Sequence, residues 1–239
     1  MKAILLAAGK GSRISKDIES VPKSTLLIGE VPLIRRNVEL LIERNIEPIV
    51  CVGYKKEKIF EALEGLDVTY YYNPFYNITN SIASLWFAKC EFNEEVLIMN
   101  ADVYFTEKIL DSVIKDKSES VLLIDKSKTK EGDFFLKLED GVISKYGKDL
   151  PLEDRSCEYV GIGKVKESFL DEFKEKLDFL IDNKEYDLWW ENVLYSLIDS
   201  NKVSILDVND EFWCEIDCIK DYEKILGYIN KSKEQICSI

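Results

Sequence analysis

The stretch KAILLAAGKGSR, residues 2–13, passes from an apolar run into two glycines, a lysine, a serine and an arginine. Glycines let a backbone approach a phosphate chain closely, with its N–H groups turned toward the oxygens. Lys10 and Arg13 add positive charge, so the segment Leu6, Ala7, Ala8, Gly9, Lys10, Gly11, Ser12 and Arg13 reads as a cradle for a polyphosphate. It is neither of the common phosphate loops. Gly9 and Gly11 start a GxG, but position 14 is isoleucine, and GxxxxGK[ST] spacing is absent. Two acids complete the chemistry. Asp102 stands just past the apolar run of VLIMNADVYF, and Asp217 follows a short β-like run in WCEIDCIKDY. Carboxylate oxygens beside a triphosphate are the hard donors that Mg²⁺ requires, and Glu215 is a further candidate.

Composition narrows what such residues can do. The chain has 239 residues, no histidine and a formal net charge of −13. Without histidine, the usual general base and the usual catalytic triads are excluded. An acidic chain lacks the basic face that a duplex nucleic acid demands. No apolar run approaches the ~20 residues needed to span a bilayer, and the N-terminal run is too short for a signal peptide. The expectation is a cytoplasmic protein with no membrane and no nucleic-acid partner. The six cysteines form no CxxC pair, so reduced thiols are expected and a zinc site is not.

The elements that must position these groups alternate through the first half. Apolar runs at 2–7, 48–53, 67–73, 95–100 and 120–125 read as strands, and helical spacing occurs at 32–45, 55–65, 79–92 and 107–116. Thr79, Asn80 or Ser81 can cap the third helix. This rhythm means a Rossmann-like α/β fold, a mostly parallel central sheet with helices on both faces. Its carboxyl edge is where ligands of such folds bind. A small β-hairpin follows, signalled by Asp-Gly within 134–147. Then come a strand at 157–165, helices near 167–181 and 187–200, a strand at 202–208 and a closing helix over 217–235. One domain over 1–239 is expected, with a nucleotide-binding half (1–130) and an acceptor-binding half (131–239).

The pair LLAAGKGSR and PKSTLLIG resembles the signature of the nucleotidyltransferases that join a nucleoside triphosphate to a phosphorylated small molecule. The resemblance implies a triphosphate on the glycine loop and Lys23 on the reacting phosphate, with Arg13 and Asp102 completing the catalytic group. It also implies a metal shared by Asp102 and Asp217. The loop departs from the family pattern, because Arg13-Ile14 and SKDIES stand where Arg-Leu and a proline are usual. Three further stretches, NPFYNITNSIASLWFA (73–88), CEYVGIGKV (157–165) and DLWWENVLY (187–195), are similar to the CTP:phosphocholine cytidylyltransferase branch. That branch also holds 2-aminoethylphosphonate cytidylyltransferases. Its members imply CTP as one partner, read through Asn80 and Ser81, and a small phosphorylated or phosphonate amine as the other.

The amine needs acidic or aromatic walls. Candidates are Asp133, Glu158, Tyr159, Trp189, Trp190 and Glu191. If Trp189 and Trp190 lie on a helix, they cannot both face one site, and one must pack in the core. Phosphocholine and 2-aminoethylphosphonate are not separated by the sequence. The alternatives are a sugar-1-phosphate nucleotidyltransferase using UTP, dTTP or CTP, and a nucleotide-sensing module without turnover. Oligomeric state is left open, with a homodimer one option.

Overall fold

The computed structural model describes residues 1–11, 21–200 and 202–237, with side chains described as far as Lys231. Ser12 and Arg13 of the glycine loop therefore lie outside the described residues.

The chain opens with β1 (Lys2–Ala7), a short pair β2 (Leu27–Ile28) and β3 (Val31–Pro32), and α1 (Leu33–Glu43). Next come β4 (Glu47–Val52), α2 (Lys56–Ala62), β5 (Thr69–Tyr72), α3 (Ser81–Phe87), β6 (Val96–Asn100) and β7 (Val103–Phe105). The middle contains α4 (Glu107–Lys115), β8 (Ser120–Asp125), β9 (Phe135–Glu139), β10 (Val142–Gly147) and β11 (Cys157–Val165). The remainder is α5 (Leu170–Asp182), α6 (Asn192–Tyr195), β12 (Val203–Asp207), β13 (Trp213–Glu215) and α7 (Ile219–Cys237).

Nine strands form one sheet in the order β10-β9-β11-β6-β1-β4-β5, with β8 joined to β11 and β12 joined to β8. β6, β1, β4 and β5 run parallel, as do β8 and β12. β11, the hub between the two parallel groups, runs antiparallel to both β6 and β8. Successive residues of β1 enter opposite cores: Ile4 packs with Ile82 and Leu85 of α3, and Leu5 packs with Ile34 and Val38 of α1. A strand buried on both faces must be apolar throughout, which is why residues 2–7 show no alternation. The Asp140-Gly141 turn between β9 and β10 has φ of 52° and 81°, the left-handed pair a two-residue hairpin demands.

The predicted helix over 187–200 is mostly absent; only α6 and a 3₁₀ turn at Ile198–Ser200 form. Residues 186–190 lie across the start of α3 instead. Tyr186 and Leu188 carbonyls accept from Asn80 and Ile82 N–H, and Trp190 N–H donates to Ser81 Oγ at 2.9 Å. This satisfies donors that a helix N-terminus leaves unpaired, at the expense of helix in the partner segment. Asn80 is the cap, its side chain accepting from Ser81 N–H.

Candidate active site

The site forms because two pairings bring distant residues to one edge. β1 and β6 pair in register through Leu6 and Asn100, so the glycine loop and Asp102 leave adjacent strands at the same end. β13 then pairs antiparallel with β7, placing Glu215 opposite Val103. Ile216 N–H donates to the Asp102 carbonyl at 3.0 Å, which fixes Asp217 beside Asp102. α1 anchors this small sheet. The buried Asn37 donates to the Val103 carbonyl at 3.0 Å, and Arg36 donates to the Phe105 carbonyl at 2.9 Å.

Lys23 lies on a 3₁₀ turn (Lys23–Thr25) after Pro22 and is buried. Its ammonium donates to Asp217 Oδ1 at 2.6 Å and lies 3.6 Å from Asp102 Oδ2. Burial disfavours the charged ammonium, but Asp102 and Asp217 outweigh it, so the Lys23 pKa is raised. Burial also raises the Asp102 pKa, opposed by Lys23 and reinforced by Asp217. Glu215 is driven well above the usual carboxylate range, first by burial and then by the two aspartates. Gly11 makes the lysine's path available. It has φ of 61°, and a Cβ there would stand 2.7 Å from Lys23 Cγ.

Among the described residues, no group of three or more acids or thiols converges on a metal position. The pair that does fit is Asp102 and Asp217. Both carboxylates already flank one cation, the Lys23 ammonium, and the glycine loop beside them leaves room for phosphate oxygens to complete a hard-donor shell.

Three hollows meet here. The first, beside the loop, is lined by Leu6, Ala7, Gly9, Gly11, Lys23 and Asp102. The second, about 170 Å³, continues past Ala8 to Asn80, Ser81, Trp189 and Glu215. The third, about 400 Å³, opens on the other side of Glu215 and Asp217 and includes Asp133 and Glu158. Glu215 borders both larger hollows. Glu158 Oε1 accepts from the Asp133 N–H at 2.8 Å, and burial pushes the Glu158 pKa up to about 7. Lys10 is exposed, its ammonium 5.9 Å from the Tyr54 ring centre, and lines none of the three.

Three expected acceptor residues stand behind the walls rather than on them. Trp190 is fully buried, with its ring against Gly163. Tyr159 and Glu191 are buried as well. The two adjacent tryptophans part, Trp189 lining the second hollow and Trp190 packing in the core. Tyr159 sits on β11, whose nine residues are all buried. Glu191 Oε2 and the Tyr159 hydroxyl have no hydrogen-bond partner among the described residues.

Several residues of the site escaped sequence reasoning. Asn73 organises the loop ahead of α3, donating to Thr79 Oγ1 and Ser84 Oγ. Trp213 and Asp221 line the third hollow. Period-two alternation would have put Trp213 on the same face as Glu215, and helical spacing would have put Asp221 one turn beyond Asp217. Lys128 carries no such signal, because it sits in a turn after β8.

An α/β sheet with a glycine loop, a buried lysine and two acids at its carboxyl edge defines a nucleotidyltransferase. The chain belongs to the family of the MobA-like NTP transferase domain, whose model matches residues 3–132. It is 29% identical to a CTP:phosphoglutamine cytidylyltransferase of Campylobacter jejuni subsp. jejuni, over 93% of this chain and 98% of that one. It is also 29% identical to a choline-phosphate cytidylyltransferase of Streptococcus pneumoniae, over 94% and 96% of the two chains. A solved CTP:phosphocholine cytidylyltransferase from Streptococcus pneumoniae superimposes with a TM-score of 0.76 at 24% identity, covering 95% of this chain and 98% of the other. Among the described residues, no helix is long and apolar enough to cross a membrane.

Proposed function

We propose that the protein is a cytidylyltransferase that moves CMP from CTP to the phosphate or phosphonate of a small amine and releases pyrophosphate. The observation that carries the reading is the meeting of Lys23, Asp102 and Asp217 at the mouth of the glycine loop, between two hollows of different character. The one with Asn80 and Ser81 suits the nucleotide, and the acid-lined one suits a cationic acceptor. The choice of CTP is supported by relatives that span nearly the whole chain.

An oxygen of the acceptor phosphate attacks the α-phosphorus. The new P–O bond forms as the bond to the bridging oxygen breaks in line, and pyrophosphate leaves with that electron pair. The attacking oxygen is already ionised near neutral pH, so no base is needed and the lack of histidine is no obstacle. Lys23 holds a fixed positive charge where negative charge gathers, and the loop backbone adds its N–H groups. Arg13 is proposed to join them. Magnesium, held by Asp102 and Asp217 when bound, would supply charge neutralisation at the phosphates.

Purified protein with CTP, Mg²⁺ and a panel of phosphorylated amines and phosphonates should release pyrophosphate. Turnover confined to UTP or dTTP with a hexose-1-phosphate would replace this reading with the sugar-phosphate one. CTP binding without turnover on any acceptor would indicate a sensing module.

A further inference from the structure

The third hollow is not a plain anionic box. It carries Glu158 and Asp133, but also Lys128 and, at its rim, Lys224. Trp213, the indole that lines this hollow, and Trp189, which lines the second hollow, already have cations of this chain on them. Lys128 Nζ lies 3.5 Å from the Trp213 ring centre, and Lys148 Nζ lies 4.9 Å from that of Trp189. A quaternary ammonium is recognised mainly by free ring faces, since it has no N–H to donate. Here each ring already carries a lysine on one face.

The charge of Lys128 has partners in Asp125, Glu158 and the Trp213 ring, but its hydrogen-bond donors are under-used. Its ammonium has three donors, yet among the described residues it makes one long hydrogen bond, 3.4 Å to the Trp213 carbonyl. The nearest carboxylate oxygens, on Asp125 and Glu158, stand 3.9 and 3.8 Å away, beyond hydrogen-bond length. Glu158 is better fixed. Its Oε1 is held by the Asp133 N–H, and its packing leaves no space for a Cβ at Gly132, which would stand 2.4 Å from that oxygen. Its Oε2 is the atom that faces Lys128. One acceptor and one under-used donor thus stand side by side at the edge of the hollow, several ångströms apart.

We infer that the acceptor is a phosphorylated amino acid or similar zwitterion, whose amino group meets Glu158 and whose carboxylate meets Lys128, with its phosphate toward Asp217. This rests on the cytidylyltransferase reading and narrows the amine proposed there. The acid-rich wall still selects for the cationic end, and Lys128 adds a requirement that choline and ethanolamine do not meet.

The test compares kcat/KM for pyrophosphate release from CTP with three acceptors: O-phospho-L-serine, phosphoethanolamine, which lacks only the carboxylate, and phosphocholine. A charge-assisted contact to the carboxylate predicts a preference of about tenfold or more for phosphoserine over phosphoethanolamine. Lys128→Gln should reduce phosphoserine turnover about tenfold more than phosphoethanolamine turnover, and Lys128→Arg should restore most of the difference. Lys128 is a third exposed, and the melting temperature of each variant verifies its fold. An equal loss on all three acceptors would mean that Lys128 meets the common phosphate, and would overturn the inference while leaving the cytidylyltransferase reading intact. Preference for phosphocholine would do the same. Release from none of the three would overturn this inference, and release from no phosphonate or other phosphorylated amine of the wider panel would overturn the cytidylyltransferase reading as well.

Discussion

Lys23 Nζ donates to Asp217 Oδ1 at 2.6 Å across 194 positions of sequence, with Asp102 Oδ2 on its other side at 3.6 Å. Three segments from the beginning, middle and end of the chain therefore meet at one charge. Two partly buried carboxylates repel unless a cation separates them, and the lysine is that cation. On the proposed function, a divalent ion and the triphosphate would share the acids that the ammonium now holds.

Replacing Lys23 by methionine should lower kcat/KM for pyrophosphate release by about 10²- to 10³-fold, the usual effect of removing one donor to transition-state charge. The melting temperature of the nucleotide-free protein should also fall, because Asp102 and Asp217 then face each other uncompensated. Magnesium should raise the melting temperature of this variant more than that of the parent, since the ion no longer competes with the ammonium. Equal magnesium shifts in thermal unfolding would show that Lys23 and the metal do not share these acids.

Gly11→Ala acts on the same lysine from the other side. The position has φ of 61°, and the added Cβ would meet Lys23 Cγ at 2.7 Å. Strain at such a φ costs about 1 kcal/mol, and the lysine must move. Activity should drop at least tenfold while circular dichroism stays native. Unchanged kinetics in Gly11→Ala would separate the loop from the lysine.

Much of this was legible in the sequence, and what was not has physical reasons. The run Lys2–Ala7 announces a doubly buried strand, and Asp140-Gly141 announces its hairpin, because each is a local pattern with one structural solution. The antiparallel course of β11 is different. Its apolar sequence suits either direction, so only the neighbours decide. The turn at 186–190 was misread as helix because its stability lies in hydrogen bonds to α3, about a hundred residues earlier. Lys128 was invisible for the same reason: its meaning comes from Trp213 and Glu158, which the fold alone brings near it.

The two adjacent tryptophans should respond differently. Trp190 is fully buried, and truncation to alanine should cost about 3–5 kcal/mol of stability. Trp189 is 36% exposed and lines the second hollow, so Trp189→Ala should lower the urea midpoint less than Trp190→Ala does and should also raise KM for a substrate. Paired chemical unfolding and steady-state kinetics on the two variants check this. A stability loss in Trp189→Ala equal to that in Trp190→Ala, with KM unchanged, would place its ring in the core rather than at the hollow.

Glu191 gives a pH dependence with a definite sign. Burial raises its pKa from 4.5 to about 7, and its Oε2 has no partner among the described residues. Between these two values the folded protein keeps a proton that the unfolded chain has released. Stability from this group is therefore fully present below pH 4.5 and is lost as pH rises through about 7. At 1.36 kcal/mol per unit, the loss is roughly 3 kcal/mol at most. Glu191→Gln keeps the shape and cannot ionise, so the variant should match the parent near pH 4.5 and exceed it in stability above pH 7. Glu158 is also raised to about 7, so the parent slope contains more than one group, and the difference between parent and variant isolates Glu191. Melting temperatures of both proteins across this range decide the matter. A difference that stays constant with pH would mean that the carboxylate finds a charge partner or solvent that the structure does not give it.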